Sequence, residues 1–504
     1  MRIKEWIARL WAAQRVRSLT NMGKHALEIQ QQLWKDLIAI GKNTHFGQEH
    51  DFKNITSISD FQKRVPVCSY EDLLPWINRV KAGELNVLWK GKARYFAKTS
   101  GTTAGAKFLP ISTESIPNHI RGARDLLLSA IYHTGSADFL GGKMLFLSGS
   151  PALEKLPSQI PVGRLSGIVN HWIPAYLKTN QIPDYATNCI EGWEEKIQTI
   201  LKQALTVDLR FISGIPPWVL QFLDLAKQKT GKTPLQLWPN LSLYVQGGVD
   251  FRPYQPMFDE YFNQKVTILE TFPASEGFFA IQDQPDKPDL LLLADNGIAY
   301  EFIPLAEYGK PDAPRLWLGE VNTHTQYAMI ISTNAGLWAY DIGDTVRFTS
   351  LNPPRIRVSG RVKQFLSAFG EHIIEEEVNT ALTQALNKTQ SKMIDCTVAP
   401  LVLETGSRHD WFIEFENPPL DPIYFLTTLD ILLREQNPYY DDLRKGNILL
   451  SPRLFTLKSG ACNEYMRSKG RLGGQNKFNR LTNSLAIASQ LEAFKISCYD
   501  PENI

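Results

Sequence analysis

The sequence predicts an α/β protein built from more than one domain, and three observations carry that reading. Residues 208–214 and 241–246 read as short buried strands, the first followed by Pro216-Pro217-Trp218 opening a helix and the second by Gly247-Gly248. Strands that alternate with helices in this way imply parallel pairing. A chain of 504 residues is longer than one hydrophobic core normally organises. Finally, the pattern changes after Pro353-Pro354, which places a boundary near residues 355–363 and divides the chain into a large domain, 1–358, and a small one, 359–504.

Element by element, the opening Met1–Trp11 is basic, but Glu5 and Arg9 interrupt its apolar residues, so it lacks the continuous stretch of a signal peptide. Trp6, Ile7, Leu10 and Trp11 lie at helical spacing; they could grip a membrane surface, but packing on the protein's own body is the expectation. Residues 24–41 form an amphipathic helix with a Leu33, Leu37, Ile40 stripe widened by Trp34 and Ile38, and Gly41 is a natural stop. Pro66 and Pro75 punctuate a mixed segment, 45–95. A strand at Ala93–Ala97 then delivers a glycine–threonine loop, and helix resumes over 114–133. The proline-rich stretch 148–175, with Gly163–Gly167 inside it, reads equally as a pocket edge or a surface crossover. Asn296-Gly297 between the apolar runs 290–293 and 298–302 predicts a hairpin. Strands at 315–321 and 338–349 follow, and then a helix at 375–386 with Val378, Ala381, Leu382 and Ala385 on one face. Strands at 396–403 and 410–416 and helices in the 420s–430s and 480s–490s complete an α+β C-terminal part.

Composition narrows the function classes. With 43% hydrophobic and 21% charged residues the chain is an ordinary globular one, and a net charge of +2 gives no reason to expect nucleic acid. The five cysteines are scattered, without C-x-x-C spacing; they read as reduced packing residues, so neither a zinc site nor a disulfide framework is expected. No apolar run reaches the length of a membrane span, so no membrane insertion is expected and a cytoplasmic location is the reading.

Four clusters carry chemistry. Lys98-Thr99-Ser100-Gly101-Thr102-Thr103-Ala104-Gly105-Ala106-Lys107 combines glycines, which let backbone N–H groups approach an anion, with hydroxyl donors and a terminal ammonium. It suits a polyphosphate but is not a P-loop, because Gly101 and Gly105 are too close and Phe108 follows Lys107; a polar surface loop is the bland alternative. In Thr271–Gly277, Ser275-Glu276 can hold Mg²⁺ or its waters beside an aromatic residue, although Ser-Glu pairs also cap helices. Tyr340-Asp341-Ile342-Gly343-Asp344 presents an acid after a glycine, suited to two ribose hydroxyls or to a plain β-turn. Gly473-Gly474-Gln475-Asn476-Lys477 offers one lysine on a flexible loop, where a solvated side chain is the usual case.

Together and in this order, these clusters resemble the adenylate-forming (firefly luciferase-like) superfamily. Thr99–Gly105 with Lys107, Ala274-Ser275-Glu276 and Tyr340–Asp344 resemble the nucleotide motifs of its Gretchen Hagen family of auxin-responsive acyl acid–amido synthetases. Thr44–Gly47, Trp238–Leu241, Gly247–Val249 and Phe369–His372 give it a bacterial-type look. Pro273 and Phe272 depart from the plant motif, and residues 121–176 do not match the plant acyl-pocket patterns.

The resemblance implies a large N-terminal domain with more than one sheet flanked by helices, plus a small mobile α+β domain. It implies that Thr99, Ser100, Gly101, Thr102, Thr103 and Gly105 wrap the phosphates of ATP and that Lys107 helps neutralise them. Ala274 and Ser275 would line the adenine and α-phosphate, Glu276 would bind Mg²⁺, and Asp344 would hold the ribose. Arg361 would be a further ribose contact and Lys363 a hinge, while Lys477 would reach the carboxylate and α-phosphate. The implied reaction adenylates a carboxylic acid, releases pyrophosphate, and passes the acyl group to an amino acid. Two alternatives stay open: transfer to coenzyme A or another acceptor, and a catalytically silent nucleotide-binding protein. His119, Arg121, Arg124, Arg164, Ser166 and Trp172 are acyl-pocket candidates by position alone; the acid, the amine and the oligomeric state are not specified.

Overall fold

The computed structural model describes residues 2–99, 107–173, 178–362, 365–366, 373–401, 408–446, 448–470, 472, 478–482 and 485–501. The chain folds into two compact units, one of Met1–Ile215, Phe222–Gly248 and Gln264–Val358, the other of Pro216–Gln221, Val249–Asn263 and Ser359–Ile504. Pro353 lies in the turn between the strands Tyr340–Leu351 and Pro354–Arg361, Pro354 opens the second of these, and the change of unit falls within it.

The first unit is organised by a mixed sheet of twelve strands. Its parallel half runs Gln181–Ile182, Lys143–Phe146, Leu209–Ser213, Leu243–Gly247, Thr267–Ala274. Leu209–Ser213 and Leu243–Gly247 are short, mostly buried runs, as expected where helical crossovers cover the faces of a sheet. Gly247 sits where a Cβ would come within 2.6 Å of the Thr271 carbonyl on the next strand, so only glycine fits that approach. The antiparallel half continues through Gly277–Ile281, Leu290–Leu292, Pro354–Arg361, Tyr340–Leu351, Gln326–Thr333, Ile298–Pro304 and Leu316–Trp317. A second sheet holds Lys107–Ile111, Tyr95–Thr99, Pro161–Gly163 and Glu154–Lys155. The proline-rich stretch 148–175 is therefore partly regular, with the strand Pro161–Gly163 and a helix at Leu165–Asn170.

Several local expectations are corrected. Asn296-Gly297 does not close a hairpin, for Leu290–Leu292 pairs with Gly277–Ile281 and Pro354–Arg361 whereas Ile298–Pro304 pairs with Gln326–Thr333. The buried Asn296 amide donates instead to the Phe278 carbonyl (2.8 Å), and its oxygen accepts from Arg121 Nε (3.0 Å). These bonds make Asn296 a strut between elements. Pro75 lies inside the helix Tyr70–Lys81 and does not end it. Its ring removes one bond, to the Glu71 carbonyl, while the Ser69–Asp72 capping box and the buried Leu73, Ile77 and Val80 hold the helix. Gly41 ends its helix as expected, but a Cβ there would also strike the Trp338 ring at 2.7 Å.

The helix Arg2–Lys24 packs against the helix Ile116–Thr134, where Arg15 grips the buried Asp125 with two bonds of 2.9 and 2.6 Å; Ala12, Leu19 and Met22 are buried, and Met22 Sδ accepts from the Ala294 N–H. Trp6, Ile7 and Leu10 are exposed, and Trp11, also exposed, meets that helix only at its edge, with the Arg124 guanidinium 5.8 Å from its ring centre. The expected packing against the body of the protein is overturned for Trp6, Ile7 and Leu10, because the face that carries Ala12, Arg15, Leu19 and Met22 makes it.

The second unit carries the sheet Lys392–Leu401, Arg408–Asn417, Arg453–Leu457, Lys495–Tyr499. The helices Glu375–Lys388 and Pro422–Gln436 pack together, and the expected face of Val378, Ala381, Leu382 and Ala385 is fully buried with Phe425 and Leu429. Arg480 is also buried, donating to Asn379 Oδ1 at 2.6 Å with its guanidinium 4.9 Å from the Tyr254 ring centre. All five cysteines are free; Cys498 is exposed, not a packing residue.

Candidate active site

Three of the four chemical clusters sit at breaks in regular strands of the first unit. Tyr95–Thr99 and Lys107–Ile111 pair antiparallel with Thr99 opposite Lys107, so residues 100–106 connect two hydrogen-bonded strands. Ser100, Gly101, Thr102, Thr103 and Gly105 themselves lie outside the described residues. Thr99 and Lys107, half-buried, mark the base of the connection.

Ser275 and Glu276 form a two-residue turn, for Ala274 at the end of one strand pairs with Gly277 at the start of the next. They do not cap a helix. A Cβ on Gly277 would come within 2.3 Å of Ile298 Cδ1, so a larger residue after the acid would have to displace that side-chain tip. Phe272 is buried against Phe279, with ring centres 4.9 Å apart. That aromatic serves the core, not the stacking of a base.

Asp344 sits in a bulge. Ala328 pairs with Thr345 and Ile330 with Asp341, so Met329 alone faces Ile342, Gly343 and Asp344. Gly343 has φ +77° and donates its N–H to Asp341 Oδ1 at 2.8 Å. Bulges of this kind re-aim a side chain out of the ladder. Asp341 also accepts from the Tyr308 hydroxyl at 2.5 Å, so its carboxylate is committed to shaping the bulge, and Asp344 is the buried acid next to it.

Two tyrosines connect these breaks. Tyr70 opens its helix and accepts from the Phe108 N–H at 2.9 Å, while Lys107 Nζ lies 5.1 Å from the Tyr70 ring centre. Cys68, just before that helix, makes a parallel bridge to Tyr340: its N–H donates to Ala339, and its carbonyl accepts from Asp341, both at 2.9 Å. Burial first, then the negative charges of Glu276, Asp341 and Glu71, drive the Tyr340 phenol far above its ordinary range, and Tyr70 adds to the effect. Lys107 thus lies beside Tyr70, and the charges of Glu276 and Asp341 reach Tyr340, on whose strand the Asp344 bulge sits.

Sequence reasoning named Lys107, Glu276 and Asp344 but missed Tyr70, whose only local signal is the capping box around it. Arg361 closes the strand Pro354–Arg361, is exposed, and belongs to the second unit. Lys363 and Lys477 lie outside the described residues. Of the acyl-pocket candidates, Arg121 is engaged with Asn296 and Asp295, Arg124 with Asp125, and Trp172 with the Tyr95 hydroxyl at 3.3 Å. His119 is buried, and desolvation pushes its imidazole down to about 4.

No group of three or more His, Cys, Asp or Glu residues among the described residues could hold a metal ion by itself. A cation at Glu276 would thus rest on one carboxylate together with ligand oxygens and water. That donor set suits Mg²⁺, which keeps waters and binds substrate phosphates through one or two carboxylates.

The fold is that of the adenylate-forming ligases: a solved 2-hydroxyisobutyryl-CoA ligase superposes with a TM-score of 0.60 at 12% identity, covering 92% of this chain and 91% of that one. Within that class the chain belongs to the GH3 family. The family's N-terminal domain matches residues 15–184, its central domain 291–361 and its C-terminal domain 376–486. An indole-3-acetic acid-amido synthetase of Arabidopsis thaliana, GH3.3, is 21% identical over 96% of this chain and 94% of its own length. A 4-substituted benzoates-glutamate ligase of the same plant, GH3.12, is 24% identical over 75% and 76%. The solved GH3.15 acyl acid amido synthetase in complex with 2,4-DB gives a TM-score of 0.78 at 18% identity, covering 97% of each chain.

Proposed function

We propose that this protein is an ATP-dependent acyl acid–amido synthetase, joining a small carboxylic acid to the amine of an amino acid through an acyl-adenylate. What supports it is Lys107 beside Tyr70 and the reach of the Glu276 charge to Tyr340, on the strand of the Asp344 bulge, in a chain whose relatives bear amido-synthetase and ligase names.

A carboxylate is a poor electrophile because oxide is a poor leaving group. Attack of its oxygen on the α-phosphorus of ATP forms the acyl–AMP anhydride and expels pyrophosphate, so the carbonyl then carries AMP as its leaving group. The amine nitrogen attacks that carbonyl, loses a proton, and AMP departs. Little covalent work falls to the protein, and rate comes from positioning and electrostatics. In this reading Thr99 to Gly105 hold the phosphates, with Lys107 as a fixed ammonium at the strand that follows. Ala274 and Ser275 face the adenine and α-phosphate, Asp344 accepts from the ribose hydroxyls, and Arg361 is a second ribose contact. Mg²⁺, when bound at Glu276, offsets phosphate charge. Lys477 neutralises the incoming carboxylate and α-phosphate during adenylation. Residues 1–358 form the substrate-binding domain and 359–504 the smaller domain that brings Lys477.

Purified protein given ATP, Mg²⁺ and a panel of carboxylic acids should release pyrophosphate only with an accepted acid, and adding the right amino acid should yield a product of acid plus amine minus water. A thioester formed with coenzyme A, and no amide, would move the protein to the acceptor alternative. Nucleotide binding without pyrophosphate release for any acid would make it a silent binder.

A further inference from the structure

The helix Arg2–Lys24 presents two different apolar faces. Ala12, Leu19 and Met22 are buried on the face that carries Arg15, which grips Asp125 of the helix Ile116–Thr134. At 100° per residue, Trp6, Ile7 and Leu10 occupy a separate arc, and Trp11 sits at its edge, where the Arg124 guanidinium lies 5.8 Å from its ring centre. They are 62%, 53%, 53% and 46% exposed. Single exposed apolar residues are ordinary, but four on one helical stripe, two of them tryptophan, make a patch that water does not favour.

The charge of the same helix says what could cover the patch. It carries six basic residues and one acid, a net +5, while the whole chain is only +2, so the remainder is net acidic. Arg9 and Arg17 are exposed on this helix, and Arg9 holds Glu5 at 2.7 Å. Tryptophan and branched aliphatic side chains flanked by cations are the composition of a helix that lies in the headgroup region of an anionic bilayer, its apolar stripe in the acyl boundary and its basic residues on the phosphates. A protein partner burying the same stripe would have no need of the positive charge that the helix keeps after Arg15 pairs with Asp125 and Arg9 with Glu5. Arg15, clamped on Asp125, fixes the helix to the body of the unit, so the stripe is presented on a rigid support.

We infer that this stripe is a membrane-surface docking site, by which the protein associates peripherally with anionic lipid. Nothing in the adenylation chemistry requires it, and no helix among the described residues is long and apolar enough to cross a bilayer.

Cosedimentation of the full chain with vesicles tests the inference, using phosphatidylcholine alone and phosphatidylcholine with phosphatidylserine. Binding should favour the anionic vesicles and weaken as salt is raised. Trp6→Ser/Leu10→Ser and, separately, Arg9→Glu/Arg17→Glu should each lower the partition coefficient on the order of tenfold or more while leaving the thermal melt unchanged. No binding to either vesicle type overturns the inference, as does binding that survives Trp6→Ser/Leu10→Ser. Concentration-dependent self-association that this double variant abolishes, without vesicle binding, overturns it too and assigns the stripe to a second copy of the chain.

Discussion

Replacing Gly343 by alanine separates two ways in which the Asp344 bulge could be held. Gly343 sits at φ +77°, and a Cβ there would meet no atom within 4 Å, so the substitution brings backbone strain and no clash. An L residue in the left-handed region costs roughly 1–2 kcal/mol. The bulge could escape that cost by flattening, but it would then lose the bond from the Gly343 N–H to Asp341, present at 2.8 Å. A hydrogen bond to a charged acceptor contributes about 1.5–3 kcal/mol. Flattening would also disturb the carboxylate that accepts from Tyr308. Retaining the strained bulge is therefore the less costly choice.

Gly343→Ala should accordingly lose about 1–2 kcal/mol of stability in urea unfolding while its KM for ATP changes less than about threefold. Asn, which tolerates positive φ, should recover much of the stability in Gly343→Asn. Asp344→Ala should do the opposite, raising the ATP KM about 10–100-fold with little loss of stability, since it removes a charged acceptor from the ribose. If Gly343→Ala raises the ATP KM as much as Asp344→Ala does, Asp341 is not what holds the bulge and the reasoning fails.

Two further outcomes are expected. Lys477→Ala should slow acid-dependent pyrophosphate exchange by about 100-fold, leave ATP affinity nearly intact, and spare amide formation from a supplied acyl-adenylate; exchange at wild-type speed would make Lys477 a surface lysine. His119 is held neutral by burial, its folded value of about 4 lying below an ordinary 6.5. The unfolded chain thus takes up more protons than the folded one in that window, and stability is lost as pH falls from 6.5 toward 4, by up to about 3 kcal/mol. In His119→Phe the acid-side loss of urea midpoint should be visibly smaller, and an identical loss would rule out this origin.

The features that are legible in the sequence are those that the backbone specifies locally. Gly343 before Asp344 requires a conformation that few residues adopt, so that motif announces itself. The helix at Glu375–Lys388 is legible through the spacing of Val378, Ala381, Leu382 and Ala385. What fails depends on partners far along the chain. Asn296-Gly297 has the local signature of a hairpin, yet Arg121 and the Phe278 carbonyl occupy the Asn296 side chain and the two flanking runs pair elsewhere. The strand Gln326–Thr333 escapes detection because a run buried at seven of its eight positions has no alternation to read. The role of Tyr70 is invisible for a related reason, since Phe108, Lys107 and Tyr340 reach it only through the fold. The exposed stripe of Trp6, Ile7, Leu10 and Trp11 shows the converse case. Its helical period is readable, but period alone cannot say which of two apolar faces a helix buries, and here Ala12, Leu19 and Met22 take the place on the protein's own body.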